Sequence, residues 1–160
     1  MGAVTGGGVT AQLPSGWDGR IFTRAPDSIP APLRPQAATT QTTTGVVAHL
    51  ANFALPADMG DFGSGAVDLM TGPDLLVVLF EYGAESLGTA LFAASGLPTL
   101  TTDDFSPNAL RKLLEGQSGV QRFFTLSNRP FCLYVVLGSH TRRIRTTPLV
   151  NEVVQGIAVQ

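Results

Sequence analysis

Residues 75–82 read Leu-Leu-Val-Val-Leu-Phe-Glu-Tyr, an apolar run without alternation. This stretch constrains the fold more than any other feature of the chain. A strand with one wet face alternates apolar and polar residues with a period of two. A strand that is apolar on both faces needs cover on both sides. Residues 46–55 follow the same pattern. Val47, His49, Ala51, Phe53 and Leu55 point one way, and Val46, Ala48, Leu50, Asn52 and Ala54 the other; both sets are mostly apolar. Pro56 ends that strand. A chain of 160 residues is long enough for one domain built around such strands, burying roughly two-thirds of its unfolded surface.

Two further strands are expected at 120–126 and 131–138, joined by Ser127-Asn128-Arg129 as a hairpin loop. Residues 17–24 (WDGRIFTR) read as a short strand, with Trp17 anchoring the N-terminal segment. Three helices are expected. Leu87, Ala90, Leu91 and Ala94 lie at i, i+3, i+4 and i+7, with Gly96 as a stop. Ser106 and Pro107 have the form of a cap and first helical residue, followed by Leu110, Leu113 and Leu114 and closed by Gly116. Thr147-Pro148 repeats that device before Leu149, Val150, Val153, Val154 and Ile157, an amphipathic face suited to packing on a sheet. The expected fold class is α+β: an antiparallel-dominated sheet of about five strands with helices packed on it, including the C-terminal amphipathic helix.

The remaining segments read as connections. Residues 1–13, Gly-rich at their start, are expected to be a disordered arm, and residues 14–160 a single α+β domain. Within it, residues 25–45 form a Pro/Thr-rich loop containing Pro26, Pro30, Pro32 and Pro35 and a Thr-rich tract over 39–44. Residues 60–65 form a Gly-rich loop, and residues 66–70 fit a helical turn or a strand equally.

Charged residues are only 14% of the chain, against roughly 25% in an average protein. So weakly charged a surface resists association less, and a protein partner or homo-oligomer is expected. The net charge of −2 argues against a general affinity for nucleic acid, which needs clustered Lys and Arg. The single cysteine, Cys132, rules out an intramolecular disulfide, and its apolar setting marks a core thiol. The longest apolar run, 131–137, has seven residues, short of the roughly 20 that a membrane helix needs. No leader pattern is visible at the N-terminus, so the expected compartment is the cytoplasm, with export after leader removal left open.

No catalytic, metal or cofactor motif stands out. The Gly-rich loop (Gly60, Asp61, Phe62, Gly63, Ser64, Gly65) offers backbone N–H groups of the kind that cradle anions. It lacks the Lys of a phosphate loop and the spacing of a dinucleotide fold, so a tight turn is the plainer reading. Asp61-Phe62-Gly63 has none of the companion motifs of a kinase. His49 lies within a strand, and Asp61, Asp68 or Glu81 would be its carboxylate partners if it served as a base. A core histidine bonded to a backbone carbonyl is the alternative. Ser64 lacks the nucleophile-elbow pattern, and burial would disfavour a Cys132–His49 pair. His140 is expected in solvent. Arg142, Arg143 and Arg145 form the only basic cluster, extendable by Arg122 and Arg129. It suits a solvated loop, or a peripheral contact with phosphate, a lipid head group or an acidic partner.

Trp17-Asp18-Gly19-Arg20, Asn52-Phe53, the 60–65 loop, Glu81-Tyr82, Arg122-Phe123-Phe124 and the run 129–138 (RPFCLYVVLG) resemble small proteins of high-GC actinobacteria, over most of residues 14–159. That resemblance implies no assigned activity. More loosely, a strand-rich sheet with a final amphipathic helix resembles the PsbP/Mog1-like architecture, which implies binding or assembly without catalysis. A non-enzymatic binding or assembly module is therefore the first expectation. The alternative is a small hydrolase or ligand-binding enzyme using His49, Asp61, Ser64 and Glu81.

Overall fold

The computed structural model describes residues 2–24, 45–110 and 113–160. The expected Pro/Thr-rich loop lies, but for its last residue, outside the described residues. Among these residues eight strands and one α-helix follow in chain order: β1 (Gly2–Gly6), β2 (Val9–Leu13), β3 (Asp18–Thr23), β4 (Val46–Ala51), β5 (Leu75–Glu81), β6 (Ser118–Leu126), β7 (Arg129–Leu137), α1 (Arg143–Gln155) and β8 (Ile157–Val159). They form a three-stranded sheet, β1-β2-β8, and a five-stranded sheet, β3-β4-β5-β7-β6, antiparallel throughout.

The larger sheet is covered on both faces, as its central strands require. On the first face Ala48, Leu50, Leu75, Val77, Leu79, Leu133 and Val135 meet Val9, Ala11 and Leu13 of the small sheet and Val150, Val153 and Val154 of α1. On the second face Val47, Leu76, Val78, Phe80, Cys132 and Val136 meet Leu55, Ala66, Val67, Met70 and Leu110. That second cover is made of loops and short turns.

Helices packed on one sheet, the expected architecture, are thus corrected to two antiparallel sheets with a single α-helix among the described residues. The stretch expected to be helical over 86–94 contains only 3₁₀ turns at Ala84–Ser86 and Ala90–Phe92. Gly88 between them has φ +79°, which stops helical propagation. The second expected helix is absent over its described residues. Ser106 does accept the Asn108 N–H at 3.1 Å, as a cap would. Its own N–H and C=O, however, pair with Gly119 at 3.0 Å each, so the backbone closes the edge of β6 instead. Helix α1 begins at Arg143, five residues before Pro148, the expected first helical residue, and carries that proline inside it. The hydroxyls of Thr146 and Thr147 turn back onto the carbonyls of Arg142 and Arg143 (3.1 and 2.6 Å) in the turn before the proline.

The N-terminal segment, expected to be disordered, pairs instead as the β1–β2 hairpin. Gly7 and Gly8 both have positive φ (56° and 79°), the requirement of a two-residue type I′ turn. Val9, Ala11 and Leu13 then alternate into the core with Thr10 and Gln12 outward. Ser127 and Asn128 make the corresponding turn between β6 and β7 (φ 51° and 59°). Among the described residues no helix is long and apolar enough to cross a membrane.

Candidate functional site

Strand registry sets the polar side chains of the second face in one row. Arg20 (β3) pairs with His49 (β4), His49 with Val78 (β5), Val78 with Tyr134 (β7) and Tyr134 with Gln121 (β6). The neighbouring row is Phe22, Val47, Phe80, Cys132 and Phe123. The segment after β4 folds back over these rows. Arg20 donates to the carbonyls of Pro56 and Leu55 (2.9 and 3.3 Å), and Asp18 accepts the Leu55 N–H at 2.9 Å. The Gly-rich loop follows. Phe62 stacks on Phe80 with ring centroids 4.5 Å apart and meets Tyr134 edge-on at 5.5 Å.

His49 holds this loop from beneath. It is buried, and its Nε2 lies 2.8 Å from the Asp61 carbonyl. A carbonyl only accepts, so Nε2 carries the proton and Nδ1 is left as a bare acceptor. Among the described residues Nδ1 has no partner. Burial pushes the His49 imidazole below its ordinary value; the Asp61 carbonyl and carboxylate oppose this, and Arg20 reinforces it. The unfolded chain therefore binds a proton near pH 6.5 that the folded chain refuses. The stabilisation is complete above pH 6.5 and is lost as pH falls below it. Thermal or urea unfolding of the wild type is expected to steepen below that pH, by as much as about 1.4 kcal/mol per unit from this group. His49→Gln keeps a donor for Asp61 and loses that component. An unchanged pH slope in the variant would show His49 to be uninvolved.

Between the 61–68 segment, the residue pairs 109–110 and 113–114 and the sheet lies a cavity of about 890 Å³. Phe62, Val67, Ala109, Leu110, Leu113 and Leu114 supply its apolar wall; Asp61, Ser64, Asp68, Gln121 and Tyr134 bring polar groups to it. Gln117 ties the two walls together. It is buried, donates to the Val67 carbonyl at 3.1 Å and accepts the Leu114 N–H at 3.0 Å. Burial raises the Tyr134 phenol, which stays protonated and able to donate at neutral pH. Burial likewise pushes the Cys132 thiol up to about 11, and Gln121 donates to its sulfur at 3.3 Å; this is an inert core thiol.

Of the expected site residues, the fold gathers His49, Asp61 and Ser64 around one loop, with Asp61 and Ser64 on the cavity and His49 behind them. Glu81 lies elsewhere, on the opposite face of β5 from Val78. It accepts two bonds from Arg129, both at 2.8 Å, and the Val46 N–H at 3.0 Å. The Gly-rich loop forms tight turns, the plainer of its two readings: the N–H groups of Gly60, Gly63 and Ala66 bond to carbonyls of the loop itself and are not turned to an anion. Strand β5 separates Cys132 from His49, and no hydrogen bond joins them. His140, expected in solvent, is half-buried with Nδ1 2.9 Å from the Ser118 hydroxyl. In the basic cluster Arg142 and Arg145 are exposed, and Arg143 donates to the His140 carbonyl at 3.0 Å. Arg122 and Arg129 do not extend it, since each pairs with a carboxylate, Asp104 and Glu81 respectively.

Sequence reasoning missed Tyr134 and Gln121 as site residues. Their alternation with Leu133 and Val135, and with Val120, places them on one face, but only strand order puts them beside the Gly-rich loop. Among the described residues no three His, Cys, Asp or Glu side chains converge as metal ligands. No family model, curated protein or solved structure matches the chain.

Proposed function

We propose that this chain is a non-enzymatic binding module whose ligand is a small, largely apolar molecule held in the cavity on the second face of the five-stranded sheet. The cavity itself carries the reading: its volume lies within the roughly 300–1,000 Å³ of ordinary ligand sites, with apolar walls and a few convergent polar groups. The arrangement favours binding over reaction. His49 spends its one N–H on a backbone carbonyl, and no described hydroxyl, thiol or carboxylate is hydrogen-bonded to it. Membership among the small actinobacterial proteins, the PsbP/Mog1-like likeness and a cytoplasmic location belong to the same proposal. None of these names a ligand, so the function is read from the site.

A neutral fluorescent probe, N-phenyl-1-naphthylamine, tests the reading. Saturable binding at one site is expected, with blue-shifted emission. Ala109→Trp fills the cavity from an exposed backbone position and is expected to weaken binding at least about tenfold, a change of about 1.4 kcal/mol. Non-saturable binding, or binding indifferent to Ala109→Trp in a folded variant, would overturn it.

A further inference from the structure

We infer that the ligand of this cavity carries a planar aromatic ring with a hydrogen-bonding substituent. The inference rests on reading the cavity as the binding site, and it specifies the ligand's shape. The features that carry it lie on the Gly-rich loop and the sheet. Phe62 stacks on Phe80 with the two ring planes 17° apart. Phe80 is buried on β5, and Phe62 fronts the cavity above it. Tyr134 lines the same cavity, its ring inclined 60° to that of Phe62 with centroids 5.5 Å apart. Two rings at that angle form a corner. A flat ring placed there stacks on one and meets the other edge-on, the two arrangements that aromatic rings favour. A saturated ring has no π face and gains neither contact.

A polar pair beside this corner narrows the class further. Gln121 and Tyr134 are direct partners across β6 and β7, and both line the cavity. The Gln121 amide nitrogen donates to the buried Cys132 sulfur at 3.3 Å, which turns the amide oxygen away from the core. Among the described residues neither that oxygen nor the Tyr134 hydroxyl has a hydrogen-bond partner. One accepts and the other also donates, so a hydroxyl on the rim of an aromatic ring satisfies both. Leu110, Leu113 and Leu114 across the cavity offer aliphatic contact to the rest of the ligand.

Calorimetric titration of the whole chain at pH 7 with two bicyclic alcohols tests this: 2-naphthol, flat and aromatic, and decahydro-2-naphthol, its saturated counterpart. Both are neutral, so charge on the wall does not enter the comparison. 2-Naphthol is expected to bind about tenfold more tightly. Phe62→Leu keeps an apolar wall and should cut that advantage to about threefold or less, with the affinity for the saturated alcohol unchanged. Tyr134→Phe should weaken 2-naphthol about fivefold and leave naphthalene, which lacks the hydroxyl, unaffected. The comparison on the wild type holds whether or not either variant folds. If the saturated alcohol binds as well as 2-naphthol, or a folded Phe62→Leu protein weakens both alike, the ring inference fails while the cavity still stands as a binding site. A folded Tyr134→Phe protein with unchanged affinity for 2-naphthol would overturn the role of the substituent. If neither alcohol binds, the reading of the cavity fails and takes this inference with it.

Discussion

Aspartate at either Val77 or Val78 is expected to abolish folding. The two residues are neighbours on β5, the central strand of the larger sheet, and each has 0% of its surface exposed. Val77 packs in the core shared with the small sheet and α1, Val78 in the core under the 55–70 segment. An unpaired carboxylate in either place costs several kcal/mol, against a total stability of about 5–15 kcal/mol for a domain. Circular dichroism and soluble yield of the two variants are the readout. A sheet with one wet face would tolerate one of the pair, so a folded Val77→Asp or Val78→Asp protein would contradict the two-sided cover. Val→Thr at the same sites keeps the shape and adds one hydroxyl; both variants should fold with losses of about 1–3 kcal/mol.

The second large effect is expected at Arg129. Its guanidinium holds Glu81 through two 2.8 Å bonds and donates to the carbonyls of Gly7 (3.0 Å) and Gln160 (3.2 Å). One side chain thus joins the start of β7, the end of β5, the β1–β2 turn and the residue after β8. The Arg129 and Glu81 side chains are only 19% and 14% exposed. Arg129→Met should destabilise by about 2–4 kcal/mol, somewhat below the 3–5 kcal/mol of a fully enclosed pair. Most of the loss comes from stranding the Glu81 carboxylate with the Val46 N–H. The double variant Arg129→Met/Glu81→Met should recover much of it, since a matched apolar pair replaces a buried ion pair at little cost. Urea unfolding measures both. A loss under about 0.5 kcal/mol in the single variant would reduce the pair to an ordinary surface contact.

What the sequence discloses depends on the range of the interactions that decide each element. β4, β5, β6 and β7 are legible because their apolar runs depend only on local composition, and the observed strands fall within a few residues of expectation. The β1–β2 hairpin is obscured by its own turn, because Gly7 and Gly8 give the segment the composition of a flexible arm. Leu110, Leu113 and Leu114 have helical spacing and a cap-like Ser106. The long-range pairing of Ser106 with Gly119 overrides that local preference, and the leucines become a cavity wall. The site was half visible. His49 and the Gly-rich loop are close in sequence and meet in the fold, whereas Glu81 is directed away by the parity of β5. Tyr134 and Gln121 join the site only through the order β5-β7-β6, which one sequence does not specify.

Backbone amide NMR during titration with N-phenyl-1-naphthylamine most directly tests whether the second face of the sheet is where this protein binds. The expected result is one saturable set of shifts at Phe62, Ser64, Asp68, Ala109, Gln121 and Tyr134, with Glu81 and Arg129 unmoved. Shifts centred instead on the exposed Ile144 and Leu149 of α1, or spread over the surface without saturation, would contradict it.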